Sequence, residues 1–286
     1  MRTIVITGGS TGIGAACAIQ LAGPGVHLVL ACRSAEKTAP VLEAVREAGA
    51  RATFALLDLA DLDSAAGAAH ALAREYPAID LLVNNAGLGG QRGLTKDGFE
   101  LHFGVNHLGH FAFTLPLLPA LEAASGRIVN VSSGNHLKAR GVPWARLTES
   151  TRSRTGLDEY GVSKLCNVLF TAELRRRHPR ITSVAMNPGR IASDIWRNVP
   201  SPLLAILKLV LPFSGVDVGG ARLVHATSVA LDGPLAPLYF HKGEPWAANA
   251  LAHREELAAE LWEYSRRAVD GAARPRAAVS GVAAAA

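Results

Sequence analysis

The chain has 286 residues, of which 49% are hydrophobic and 19% charged, and a net charge of +5. That apolar share excludes a disordered chain and supplies one large core, while the 29 Lys and Arg residues are scattered, which argues against a nucleic-acid-binding face. The three cysteines, Cys17, Cys32 and Cys166, have neither pair nor ligand spacing, so no disulfide framework and no metal site is expected, and the compartment is expected to be reducing and cytoplasmic.

Residues 3–7 are a short β-rich apolar run ended by glycines, the pattern of a strand buried on both faces. A helix follows at 12–22, a second buried strand at 26–31 and an amphipathic helix at 36–48, stopped by Gly49. A strand at 52–57, a helix at 62–76 and a strand at 79–83 repeat the alternation. Residues 99–124 read as one long helix with bends at Pro116 and Pro119, and 127–131 as a fifth strand. The stretch 134–158 has weak periodicity, several charges and Pro143; it reads as a long loop with one short helical turn, and a loop of that length in a compact domain is often functional. A helix at 159–177 ends in Arg175-Arg176-Arg177, where cations meet the negative end of the helix dipole. Then come a strand at 181–186, an irregular, partly helical stretch at 188–213, a helix at 216–227, a short strand at 238–240 and a closing helix at 254–269.

Strands alternating with helices imply βαβ crossovers and a Rossmann-type, doubly wound parallel sheet with helices on both faces. One domain is expected over 1–270, with an Ala-, Gly-, Pro- and Arg-rich tail at 271–286 that is disordered. No apolar run is long enough to span a membrane. The greasiest stretch, 202–213, carries Lys208 and Pro212 and reads either as a buried helix or as one touching a membrane surface or an apolar substrate.

Thr7-Gly8-Gly9-Ser10-Thr11-Gly12-Ile13-Gly14 lies between the first strand and the first helix. Glycines there let the backbone turn sharply and approach a pyrophosphate, and the helix N-terminus offers free N–H groups to it. The second strand ends Ala31-Cys32-Arg33-Ser34, with no acidic residue to hold ribose hydroxyls. Arg33 suits a 2′-phosphate instead, so NADP(H) is the expected cofactor. Asp58, in Leu57-Asp58-Leu59, either accepts from the adenine amino group or starts the next turn. Asn84-Asn85-Ala86-Gly87 ends the fourth strand, where open α/β sheets bind ligands, and its amides hold either the sheet crevice or the cofactor.

Tyr160 and Lys164 are four apart and share a helix face. An ammonium beside a phenol favours the phenolate, so Lys164 is expected to pull Tyr160 toward neutral pH and make it a usable general acid or base.

Thr7-Gly8-x-x-x-Gly12-x-Gly14, Asn84-Asn85-Ala86-Gly87, Asn106, Ser133, Tyr160-x-x-x-Lys164 and Pro188-Gly189 stand in one order over residues 2–265, and together they resemble the short-chain dehydrogenase/reductase family. The resemblance implies that Tyr160 exchanges a proton with the substrate oxygen and that Lys164 tunes it and binds the nicotinamide ribose. It implies that Ser133 hydrogen-bonds the substrate, Ser132 being its competitor, and that Asn106 holds a water in a relay with Lys164. Gly8, Ser10, Thr11, Gly12, Ile13, Gly14, Arg33, Asp58, Leu59, Asn85, Ala86 and Gly87 would hold the cofactor, with Pro188, Gly189, Ile191 and Ser193 lining its nicotinamide side. The chain departs from the family's core members in one respect. Twenty-seven positions separate Ser133 from Tyr160, roughly twice the usual spacing. That insertion, with Ser132-Ser133-Gly134-Asn135-His136, is similar to retinol-dehydrogenase-like and protochlorophyllide-reductase-like members, which implies a small hydrophobic ketone, aldehyde or secondary alcohol as substrate. Trp144, Trp196, Leu203, Leu204 and Leu207 are candidate apolar contacts for it. The helices at 99–124 and 159–177 resemble the family's homodimer surface, with the insertion between them. The rival readings are a non-catalytic NADP-binding regulator, which would commonly lack the tyrosine or lysine, and a sugar-nucleotide epimerase, which would show G-x-x-G-x-x-G spacing.

Overall fold

The structure, a computed structural model, describes residues 1–191, 213–231 and 237–271. Its elements run β1 (Arg2–Thr7), α1 (Gly12–Leu21), β2 (Val26–Cys32), α2 (Ala35–Glu47), β3 (Arg51–Leu56), α3 (Leu62–Glu75), β4 (Leu81–Asn84), α4 (101–123) and β5 (Arg127–Val131). They continue with α5 (Leu157–Arg177), β6 (Thr182–Asn187), α6 (Val216–Ser228), β7 (Tyr239–His241), β8 (Glu244–Pro245) and α7 (Glu255–Val269). The sheet order is β3-β2-β1-β4-β5-β6-β7-β8, parallel except for the final β7–β8 pair, a short edge hairpin that the sequence reading missed. Strand order reverses between β1 and β4, and the crevice at their carboxyl ends is where such folds bind ligands.

Alternate strand residues feed two cores. Ile4, Ile6, Leu28 and Leu30 face α1, α2 and α6; Val5, Val29, Leu82 and Ile128 face α3, α4, α5 and α7. Burial on both faces explains why these strands read as unbroken apolar runs rather than alternating ones. Ser34 and Asp61 cap α2 and α3 by accepting backbone N–H groups, which starts both helices where the sequence placed them.

The long helix expected at 99–124 is segmented. A π turn, Gly104–Leu108, interrupts it, and a 3-10 turn, Leu115–Leu117, falls at Pro116. The π turn has no proline; its cause is side-chain bonding. Asn106 turns inward, its Oδ1 accepting from Leu88 N at 2.9 Å and its Nδ2 donating to Leu88 O at 3.0 Å. Gly109 permits close approach of the helix to Leu59, since a Cβ there would lie 2.3 Å from the Leu59 carbonyl oxygen.

The 134–158 stretch is an irregular loop with two 3-10 turns, Gly134–Lys138 and Trp144–Arg146, one more than expected. It is welded down rather than loose: Val142, Leu147 and Thr151 are buried, Glu100 N donates to Leu147 O, and Glu100 accepts from the Thr151 hydroxyl.

Candidate active site

The four residues expected to carry chemistry come from three elements meeting at the carboxyl end of the sheet. Ser133 follows β5, Tyr160 and Lys164 lie in the first turns of α5, and Asn106 sits in the π turn of α4. All but Ser133 are buried, with Asn106 at 0% exposure.

Ser132 and Ser133 point to different partners. Ser132 donates its hydroxyl to the Lys164 carbonyl at 2.8 Å, which ties β5 to α5. Ser133 accepts from Asn135 N at 3.3 Å, and its side chain faces Tyr160, where it favours the phenolate. Gly161 lets the 134–138 turn press onto α5 beside Tyr160, because a Cβ there would lie 3.0 Å from Asn135 O.

Lys164 donates from Nζ to the Val131 carbonyl at 3.0 Å, an acceptor it shares with Asn167, and sits 5.6 Å from the centre of the Tyr160 ring. No carboxylate pairs with it among the described residues. Burial pushes Lys164 down to about 7, and burial likewise pushes the Tyr160 phenol up, against a smaller lowering by the Ser133 hydrogen bond. The expectation that Lys164 pulls Tyr160 toward neutral pH is therefore corrected for the protein by itself. Both groups are desolvated, and the ammonium is aimed at a carbonyl rather than at the phenol oxygen.

Asn106 also donates from Nδ2 to the Ser163 hydroxyl at 3.0 Å, so its amide is fully engaged. Its carbonyl accepts from His110 Nδ1 at 3.0 Å, and His110 Nε2 lies 2.9 Å from the Thr7 hydroxyl. Thr7 accepts from Asn85 N and Ala86 N, both at 3.0 Å. One chain of hydrogen bonds thus runs from the end of β1 to the π turn. The spacing of four on one helix that brings His110 Nδ1 to the Asn106 backbone carbonyl is the sequence signal by which His110 can be found.

The glycine loop is built for close packing. Gly8 and Gly12 have φ of 67° and 57°, in the left-handed region, and a Cβ on Gly14 would lie 2.4 Å from Gly8 O and 2.5 Å from Asn85 Nδ2. Asn85 is why: its Nδ2 donates to Thr7 O at 2.9 Å and reaches Gly8 O at 3.3 Å. Asn84 donates to Thr114 and Asn130, a structural role in the sheet. Ser10, Thr11 and Ile13 surround the start of α1, where Thr11 makes no side-chain cap and the first turn carries no acidic residue, leaving the N–H groups open to an anion. Cys32 is buried beneath, and burial raises its thiol.

Arg33 is exposed just past β2. Asp58 takes the turn-starting role, its Oδ1 accepting from Ala60 N at 2.9 Å, and Leu59 is buried against Gly109. Gly87 borders both Asn106 Oδ1 and Lys164 Nζ, which a Cβ would meet at 3.0 and 3.4 Å. Beyond β6, Gly189 has φ of 92° and donates to Asn187 Oδ1, Pro188 O accepts from Arg222, and Ile191 is buried. Trp144 is turned to the closing helix, its ring centre 5.4 Å from that of Tyr264. Ser193, Trp196, Leu203, Leu204 and Leu207 lie outside the described residues.

A nicotinamide dinucleotide fits these residues. The open helix start and glycine turns suit a pyrophosphate, and a buried ammonium without a carboxylate beside Gly87 suits a ribose diol.

Fold and site together define a nucleotide-dependent oxidoreductase of the Rossmann type. Residues 2–203 match the profile of the family described as short chain dehydrogenase, and the chain belongs to that family. Among its relatives it is similar to retinol dehydrogenase 12 of Mus musculus, 36% identical over 272 residues that cover 92% of this chain and 85% of that one. It is likewise 36% identical to dehydrogenase/reductase SDR family member 13 of Homo sapiens, covering 93% of this chain and 72% of the relative. Of solved structures, an uncharacterised protein from Mycobacterium paratuberculosis superposes with a TM-score of 0.72 at 30% identity over 94% of both chains. A short-chain dehydrogenase from Sphingobium yanoikuyae in complex with NADPH superposes at 0.60 with 25% identity, covering 78% of this chain and 82% of that one.

Proposed function

We propose that this chain is an NADP(H)-dependent oxidoreductase that interconverts a hydrophobic ketone or aldehyde with its alcohol. The observation that carries the reading is the meeting of Ser133, Tyr160 and Lys164 beside an open phosphate-binding helix start. A bound nicotinamide supplies or accepts the hydride. Tyr160 then exchanges a proton at the substrate oxygen, and Ser133 gives that oxygen its second hydrogen bond as negative charge develops on it. Lys164, held through one hydrogen by Val131 O, keeps its others for the ribose. Asn106 would hold a water in a proton relay with Lys164, while its side-chain amide fixes the π turn through Leu88.

The relatives named for retinol bring apolar polyene aldehydes and alcohols forward as substrates to try first. Arg33 supports NADP(H) over NAD(H), and buried free cysteines fit a reducing, cytoplasmic setting. A non-catalytic NADP-binding regulator is the alternative; retention of both Tyr160 and Lys164 weighs against it.

The test is NADPH oxidation by the wild type and the Tyr160→Phe variant with retinoid, steroidal, polyketide and aromatic carbonyls. Wild-type turnover that falls at least about 100-fold in the variant, with NADPH fluorescence titrations unchanged, is the expected result. Binding without turnover of any carbonyl by the wild type would move the reading to the regulator.

A further inference from the structure

Ser133 has left the sheet. The β5 ladder ends with Ser132, whose N–H donates to Met186 O at 2.7 Å, so no neighbouring strand sets the orientation of the next residue. His136 does. The Ser133 carbonyl accepts from His136 N at 3.1 Å and from His136 Nδ1 at 2.6 Å. The ring therefore carries its hydrogen on Nδ1, and Nε2 is free to accept, which it does from Asn249 N at 3.1 Å. The imidazole is fully buried, with its ring centre 4.5 Å from that of Tyr239. Asn249 closes the arrangement: Nδ2 donates to His136 O and Ala139 O, both at 2.9 Å, and Oδ1 accepts from Leu251 N at 3.0 Å. Every polar atom of the pair has a partner, and the partners join the start of the insertion to the segment that leads into α7.

We propose that His136 and Asn249 are a positioning pair that holds the Ser133 carbonyl, and through it the Ser133 hydroxyl, in register with Tyr160. This rests on the reading of Ser133 and Tyr160 as the groups that meet the substrate oxygen. His136 itself is too deeply engaged to touch substrate; its role is exerted through Ser133. A hydroxyl allowed to drift by an ångström loses most of its effect in the transition state while binding persists, so the loss belongs in kcat rather than KM.

Two measurements test it. In long-range proton–nitrogen NMR spectra, His136 should stay in the Nδ1–H tautomer between pH 6 and 8; an Nε2–H tautomer overturns the proposal whatever the activity. In kinetics, His136→Gln and Asn249→Ala should each lower kcat about 10- to 100-fold with little change in the KM for NADPH. His136→Asn, which keeps a donor where Nδ1 stood, should recover at least part of the His136→Gln loss. Equal losses in the two His136 variants, or an unchanged kcat in Asn249→Ala, overturn the pair. Tyr160→Phe in the same series separates the two ideas. If that variant keeps turnover, the catalytic reading fails; if it alone loses turnover, only the positioning pair fails.

Discussion

Arg33 and the buried histidines carry the residue-scale consequences. Arg33 stands exposed past β2 with no ion pair among the described residues, so its guanidinium is unspent and available to a 2′-phosphate. Arg33→Asp should weaken NADPH by at least about 10-fold more than NADH in binding titrations; equal effects would remove the 2′-phosphate argument. His107 and His110 are fully buried and are pushed down to about 3 and about 4 from an ordinary 6.5, chiefly by burial. Both stay neutral in the fold and take up protons only when the chain opens. Their contribution is therefore complete above about 6.5 and is lost as pH falls toward 4. Carboxylates act chiefly below about 4.3, so the interval between pH 6.5 and 5 reports mainly on the imidazoles, with a smaller loss in the same direction as buried Lys164, at about 7 in the fold, finishes taking up its proton. Urea unfolding should show a loss of roughly 2–4 kcal/mol between pH 7 and 5. His27, His136 and His241, also lowered by burial, add in the same direction. A flat profile over that interval would contradict the buried, neutral state.

Among elements, α7 decides most. Trp262 packs its ring against Phe111 of α4 and Phe170 of α5, at centre distances of 5.0 and 5.9 Å, and Arg177 lies 4.9 Å over its face. His107 donates to or accepts from Ser265 of the same helix at 2.9 Å. Trp262→Ala should cost about 3–5 kcal/mol in chemical denaturation; a cost under about 1 kcal/mol would mean that α7 is loosely docked. The insertion is a second such element. Its buried Leu147 and Thr151 make it part of the core, so deleting 134–158 would unfold more than a substrate wall, and point changes on it are the fair probe of specificity. The sequence showed its length but not its anchoring, because Glu100 and Thr151 are joined only by the fold.

For the whole molecule, α7 packs on α4 and α5, the two helices that resemble the family's homodimer surface, through Trp262 against Phe111 and Phe170. Because α7 takes up part of those two helices, light scattering should give a monomer near 30.0 kDa; a stable dimer would mean that the chain pairs through faces α7 leaves open. Among the described residues no helix is long and apolar enough to cross a membrane.

The sheet, the glycine loop and the Tyr160–Lys164 pair were legible in the chain alone, because their signals are local: apolar runs of strand length, glycines at one turn, two residues on one helix face. Element ends moved by only a residue or two, and the exceptions are physical. The π turn at Asn106 exists because Leu88 captures its amide, and β8 pairs through two residues too few to carry a pattern. What only the tertiary structure decided lies in contacts between distant segments. Ser132 is drawn to α5 and Ser133 to Tyr160, His110 to Thr7, Asn249 to His136, and Trp144 to Tyr264. Sequence spacing can name the groups able to react. Their protonation and aim depend on burial and on partners more than a hundred positions away, such as His110 from Thr7 and Asn249 from His136, which no local pattern encodes.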